Sequence, residues 1–261
     1  MMIESGGTAI HYLDEGAGIP IVLVHGVGAD LTSWDAIAAA LAKRWRVIRL
    51  DLRGHGRSGR IETCTLDDLL GDVEAVIDAV GAVPVHLVGF SLGGLIAQGI
   101  ALRSPEKLRS VSILSAVAGR TEEERRRVVE RARIVREQGI AAITAAADQR
   151  WFTDEFRRRH PEKVQRRLEQ LKANHLPSYV AAYTVFGESD LGPELHRIGL
   201  PALVATGEHD VGSNVRMARF MHERIAGSEL AILSGLRHSI LLEAPERVTD
   251  LVESFLDRQP R

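Results

Sequence analysis

One hydroxyl is set among glycines in the stretch HLVGFSLGGL, where Gly89-Phe90-Ser91-Leu92-Gly93 joins a strand-like apolar run to a helix-like one. A turn that sharp needs small residues on both sides and puts its apex residue into strained backbone geometry. It would hold the Ser91 hydroxyl in the open above the N-terminus of the following helix, where a nucleophile belongs. A serine hydroxyl becomes nucleophilic when a base takes its proton. His238 is the candidate base, in a loop just after the run SELAILSG; His196 and His222 have no such position at a strand end. An acid that orients the imidazole and stabilises its protonated form is expected after the run LPALVATGEHD, where Asp210 stands clear of the strand. Glu208 and Asp190 are its rivals, and Glu208 lies closer to the strand end, with less freedom to reach a histidine. The negative charge that develops on a carbonyl oxygen under attack needs backbone donors. The Leu92 amide, directly after Ser91, is one. The loop His25-Gly26-Val27-Gly28 after IPIVLV offers the other, with Val27 as the donor. His25, together with His55 and Arg57 in DLRGHGRS, reads as a brace for these loops rather than as a reacting group.

Such groups meet only if the elements carrying them end at one place. Short runs rich in Val, Ile and Leu recur along the chain: IPIVLVHG, WRVIRLD, VPVHLVG, LRSVSILS, LPALVATG and SELAILSG. Continuous apolar character over strand length suits strands buried on both faces. Helical patterns lie between them: WDAIAAALAKR, LDDLLGDVEAVIDAVG, and LGGLIAQGIALRSP with Pro105 as its stop. Alternating strand and helix predict an α/β fold with a mostly parallel sheet covered on both faces. Ligands bind such sheets at the C-terminal edge of the strands, where Ser91, Asp210 and His238 all fall. From about Gly119 to Leu195 the alternation stops, and the chain is helical in period and heavily charged. This predicts a helical lid inserted between two strands of one domain: lid 119–195, core 1–118 and 196–261. The run EEERRR within it reads as a solvated helix face with paired charges.

The bulk composition excludes several classes. The chain has 261 residues, 45% hydrophobic and 26% charged, with a formal net charge of −2, so no basic excess points to nucleic acid or to an anionic membrane. The opening MMIESGGTAIHY has no basic segment followed by an apolar stretch, and no apolar run is long enough to span a bilayer. The single cysteine, Cys64, forms no internal disulfide, so the expected compartment is the reducing cytoplasm. Scattered histidines and a lone cysteine offer no metal site, and no glycine-rich loop has the dinucleotide or P-loop pattern, so no cofactor is expected. A small-molecule substrate is the expected partner.

HGVGADLTSW, DLRGHGRS, GFSLGG, GEHD and GLRHSILLEAPERV, in this order and spacing, resemble the α/β-hydrolase fold superfamily over nearly the whole chain. Within it, GADLTSWD and the lid stretch RWFTDEFRRRHPEKV resemble 3-oxoadipate enol-lactonases. The resemblance implies a sheet of about eight strands with the lid after the sixth, and a triad in the chain order serine, acid, histidine. It implies a serine hydrolase acting on an ester or lactone through an acyl-enzyme. A carbon–carbon bond hydrolase of a vinylogous diketone is the alternative, and a ligand receptor with a retained triad is a reading from another class. The lid carries Trp151, Phe152, Phe156, Tyr179, Tyr183 and Phe186, and Trp151, Phe152 and Tyr183 are expected to wall the substrate pocket. Arg150 is the candidate partner for a substrate carboxylate, which an enol-lactone acid would carry.

Overall fold

The apolar runs form strands whose two faces are both covered. In the computed structural model, which describes residues 1–81 and 83–259, β3 is buried at every position and β7 likewise. In chain order the elements are β1 (Met2–Ser5), β2 (Thr8–Gly16), β3 (Pro20–Val24), α1 (Asp35–Leu41), β4 (Arg46–Leu50), α2 (Leu66–Ala79), β5 (Val85–Phe90), α3 (Leu92–Arg103) and β6 (Leu108–Leu114). Then come α4 (Glu122–Gln138), α5 (Thr144–Trp151), α6 (Asp154–Arg159), α7 (Pro161–Lys172) and α8 (Leu176–Glu188). The chain closes with β7 (Ala202–Gly207), α9 (Val215–Arg224), β8 (Glu229–Leu233), α10 (Ile240–Glu243) and α11 (Pro245–Asp257).

Among the described residues the strands make one eight-stranded sheet in the order β1-β2-β4-β3-β5-β6-β7-β8. From β4 to β8 all neighbours are parallel, whereas β1 and β2 are antiparallel to theirs. The expected α/β-hydrolase architecture is therefore the observed one, with five helices inserted between β6 and β7. The two N-terminal strands escaped the apolar-run reading because β1 alternates between exposed and half-buried positions and β2 buries only Ile10, His11 and Tyr12 in a run that is otherwise half-buried or exposed. Their hairpin is set by Gly6 and Gly7, at φ +52° and +77°, with Ser5 opposite Thr8: a two-residue turn that needs positive φ at both positions.

One face of the sheet packs on α2, α3 and α9 through residues such as Val73, Ile77, Ile96 and Met221. The other packs on α1 and α11 through Ile37, Leu41, Val252 and Phe255. Helix α3 is buried from Leu92 to Ala101 and has no polar stripe, which suits a helix enclosed between sheet, lid and neighbours.

Helix α4 opens the lid with a capping box between Thr121 and Glu124. Its outer face pairs Glu123 with Arg127, and Arg133 with both Glu130 and Glu137, the solvated ladder expected of this run. Both ends of the lid converge on Asp190. Its carboxylate accepts from the amides of Gly119 (2.9 Å), Arg120 (3.2 Å) and Gly192 (2.9 Å) and pairs with Arg125 at 3.0 Å. Asp190→Ala strands three amides and a guanidinium around a side chain only 9% exposed. It should lower the unfolding free energy by about 2–3 kcal/mol in urea titration, and trypsin should cut first at Arg120 or Arg125. An unchanged titration with an unchanged digest would remove the clasp from the account of the lid.

Candidate active site

The turn between β5 and α3 has the strained geometry that its sequence demands. Ser91 sits at φ 56°, ψ −113°, one of two non-glycine residues with positive φ among those described. Its amide donates to Leu114 O (2.9 Å), and its carbonyl accepts from Gly94 and Leu95 (3.0 and 3.1 Å). A Cβ at Gly89 would lie 2.0 Å from Gly93 O, and one at Gly93 would lie 2.2 Å from Val24 O. At Gly94 it would meet the Ala116 Cβ at 2.5 Å. The backbones of β3, β5 and α3 thus touch where these glycines stand, and the serine between them is held in place by that contact. A conformation of this kind costs about 1–3 kcal/mol and persists only when the surroundings enforce it.

The base and acid candidates arrive from the ends of β8 and β7. His238 Nδ1 and Asp210 Oδ2 are 2.6 Å apart, and the His238 ring stacks at 5.1 Å, tilted, on that of Phe90, next to Ser91. With Nδ1–H donated to the carboxylate, Nε2 is left as a proton acceptor. Asp210 is 3% exposed; its Oδ1 accepts from the amides of Gly212 (2.8 Å) and Ser213 (2.9 Å). Burial alone would push its carboxyl up, but His238 and the two amides outweigh it and hold the group below the usual carboxylate range. The rivals are engaged elsewhere: Glu208 accepts from Gly235 N, and Asp190 clasps the lid.

The loop expected to supply the second oxyanion donor is braced from both sides. His25 Nε2 accepts from Leu52 N (3.0 Å), so its Nδ1–H donates to Gly26 O (2.7 Å). His55 Nε2 accepts from Gly28 N (3.0 Å), so its Nδ1–H donates to Arg53 O (3.0 Å). Asp51 takes the amides of Leu31 and Arg57. From the lid, Arg167 donates to Gly28 O at 2.9 Å. Val27 in this loop lines the cavity, and its amide finds no acceptor among the described residues. The Leu92 amide opens α3, where helix N–H groups have no intrahelical partner.

A cavity of about 590 Å³ lies between the strand ends and the lid. Ser91, Val27, Asp210 and His238 border it from the core, and Arg150, Trp151 and Tyr183 from the lid. Phe152 does not join them. Helix α5 ends at Trp151, and Phe152 turns to an extended φ −121°, ψ 146°, which buries its ring fully against Phe156 and Val164 inside the lid. Phe152 is therefore lid core and not pocket wall. The lid is also tied to the segment that carries His238: Trp151 O accepts from Ser239 N (3.0 Å), Gln149 O from Arg237, and Glu243 from both the amide and hydroxyl of Thr153. Sequence reasoning missed five further arginines that line this cavity, Arg120, Arg127, Arg131, Arg166 and Arg167. Nothing in the sequence separates them from the many arginines on the lid's outer surface. Among the described residues no helix is long and apolar enough to cross a membrane.

Residues 19–245 match the α/β hydrolase fold family. The chain is 30% identical to an (E)-2-((N-methylformamido)methylene)succinate hydrolase of Acinetobacter baylyi, covering 98% of this chain and 97% of that one. It is also 30% identical to 3-oxoadipate enol-lactonase 2 of the same organism, over 91% of this chain and 88% of the relative. The crystal structure of the enol-lactonase from Burkholderia xenovorans superposes with a TM-score of 0.93 at 30% identity, covering 99% of this chain and 100% of that one.

The braces make a pH-dependent prediction. Burial first, and then the neighbouring His25, push the His55 imidazole down to about 3, and burial lowers His25 as well. In the unfolded chain the imidazole titrates near about 6.5. The stability due to its neutral form is therefore full above that pH and is lost as pH falls toward 3. Between pH 8 and pH 5 this amounts to roughly 2 kcal/mol for His55 alone. Urea titrations at the two pH values should show wild type losing about that much more than His55→Gln. Equal losses in both proteins would mean that His55 is not held neutral.

Proposed function

The chain belongs to the α/β-hydrolase fold family, and from that premise we propose that it is a serine hydrolase cleaving a carboxylic ester or lactone of a small molecule through an acyl-enzyme. Ser91 Oγ attacks the carbonyl while His238 Nε2 takes its proton, and Asp210 holds the imidazole and balances its charge. The Val27 and Leu92 amides receive the oxyanion. Collapse of the tetrahedral intermediate expels an alkoxide or enolate, which takes the proton back from His238. Water, deprotonated by the same imidazole, then releases the acid and frees Ser91. The observation that carries this reading is the strained Ser91 on a cavity it shares with the 2.6 Å His238–Asp210 pair.

Two relatives and one solved structure similar to this chain are enol-lactonases, which supports an enol-lactone as substrate. In that case the leaving group is a stabilised enolate that stays tethered to the acyl chain, so the enclosed cavity must retain one molecule through ring opening. The lid, taken as residues 119–195, would cover the core of residues 1–118 and 196–261 for that purpose. Trp151 and Tyr183 form its inner wall, and Arg150 is the partner for a substrate carboxylate.

Ser91→Ala should abolish labelling by a fluorophosphonate and lower kcat on an active ester or lactone by about ten-thousand-fold or more. Full labelling of the variant at another serine would sink the assignment. Trp151→Ala removes a ring but keeps the carbonyl that binds Ser239. It should change kcat/KM unequally across acyl groups of different size, while Ser91 still reacts with a small probe. A uniform loss with a lowered Tm would make Trp151 lid core.

A further inference from the structure

The lid does more than roof the cavity, because one face of α7 packs on the loop that carries Val27. Gly28 in that loop has φ +66°, and a Cβ on it would lie 2.7 Å from the Tyr179 ring and 2.8 Å from Leu171 Cδ1. Its carbonyl accepts from Arg167 Nη1 at 2.9 Å and from Asn174 Nδ2 at 3.3 Å. Arg167 and Leu171 stand one helical turn apart on α7, and Asn174 follows just past the helix end, so a single stripe of the lid meets this one glycine.

The loop is a tight turn whose other contacts come from the core. Ala29 N donates to Gly26 O at 3.3 Å, which leaves Val27 and Gly28 as the two central residues. His25 holds Gly26 O, and His55 holds Gly28 N. A trans peptide points its N–H away from its C=O, so the bond from His25 to Gly26 O aims the Val27 N–H the opposite way. Gly26 lies against the nucleophile, since a Cβ on it would be 3.0 Å from the Ser91 Cβ. The core therefore grips this turn at Gly26 O and Gly28 N. Among the described residues, both hydrogen bonds to Gly28 O come from the lid.

Arg167 is the stronger of the two holders. Burial lowers its guanidinium to about 10, so it is a cation at neutral pH and its bond to Gly28 O is charge-assisted. The same guanidinium lies 4.6 Å over the ring of Trp151, whose carbonyl accepts from Ser239, next to His238. Arg167 borders the cavity, whereas Asn174 does not line it. We propose that Arg167 is a positioning residue for the oxyanion hole: it anchors Gly28 O from the lid and so fixes the turn that presents the Val27 amide beside Ser91. The role deepens the hydrolase reading of this cavity and rests on it. It makes the lid part of what stabilises the oxyanion, whatever acyl group is bound.

The test uses p-nitrophenyl butyrate and the mono-p-nitrophenyl ester of glutaric acid. Acylation and deacylation both pass through an oxyanion, so a misplaced donor slows kcat whichever step limits. Arg167→Met should lower kcat by about 10- to 100-fold on both esters, with KM within about twofold of wild type. Arg167→Lys should recover part of the loss. Asn174→Ala removes the longer bond to Gly28 O from outside the cavity and should lower kcat on both esters by a smaller factor, about 2- to 5-fold. A pentyl trifluoromethyl ketone reads the oxyanion directly: Ser91 Oγ adds to its carbonyl, the proton passes to His238, and the hemiketal oxygen takes the oxyanion position. Its Ki should rise in Arg167→Met by about the factor by which kcat/KM falls, while the Ki of pentyl methyl ketone stays the same. An unchanged kcat, or a trifluoromethyl ketone bound as tightly as by wild type, overturns the proposal. So does a loss confined to the glutaric ester and carried by KM, which would make Arg167 a substrate contact. If circular dichroism shows Arg167→Met unfolded, Arg167→Lys and Asn174→Ala carry the same comparison. Should wild type turn over neither ester and bind the trifluoromethyl ketone no better than the methyl ketone, the hydrolase reading falls and this role with it. Wild-type turnover with unaltered variants overturns the role alone.

Discussion

The site depends on how closely α3 approaches the ends of β3 and β5. A Cβ on Gly93 would lie 2.2 Å from Val24 O, and one on Gly89 would lie 2.0 Å from Gly93 O, so the approach exists only because both are glycines. That contact leaves Ser91 no room for ordinary backbone angles, and the surrounding core holds it at φ 56°. The same closeness sets the start of α3 beside the loop of Val27, where a Cβ on Gly26 would lie 3.0 Å from the Ser91 Cβ and one on Gly93 would lie 2.8 Å from His25 O.

Around this fixed point the supporting groups are neutral where neutrality matters. His25 and His55 each accept a backbone N–H at Nε2 and donate from Nδ1, an arrangement that protonation would break. Burial disfavours the charged form of both rings, whereas the Nδ1 of His238 faces the Asp210 carboxylate. Three histidines near one loop system thus fall to two different tasks through what faces each ring. Residue type alone does not distinguish them.

The lid joins the core at two places with different consequences. At Asp190 its two ends are clasped together, which makes a long insertion start and finish at one point. At Trp151, Gln149 and Thr153 it is tied to the segment from Arg237 to Glu243, which includes His238. The cavity wall at the end of α5 and the loop that carries His238 are thus joined by direct hydrogen bonds.

The sequence by itself determined the alternation of buried strands and helices, the sharp turn at Ser91, the helical insertion after β6, and the strand ends that carry Asp210 and His238. Those features rest on local signals: apolar run length, glycine at positions of close approach, and charge periodicity. The β1–β2 hairpin was less legible because β1 is partly exposed throughout and the buried part of β2 is only three residues long, His11 among them, so neither shows a continuous apolar run. Which lid residues face the cavity was decided only in three dimensions. Trp151 and Phe152 are neighbours of similar character, yet the end of α5 falls between them and sends one ring to the cavity and the other into the lid. Arg120 and Arg127 likewise look alike in the chain. One is buried with an unmatched Nη2 and the other pairs with Glu123 at the surface, because burial and the supply of partners are properties of the packed structure and not of the residue.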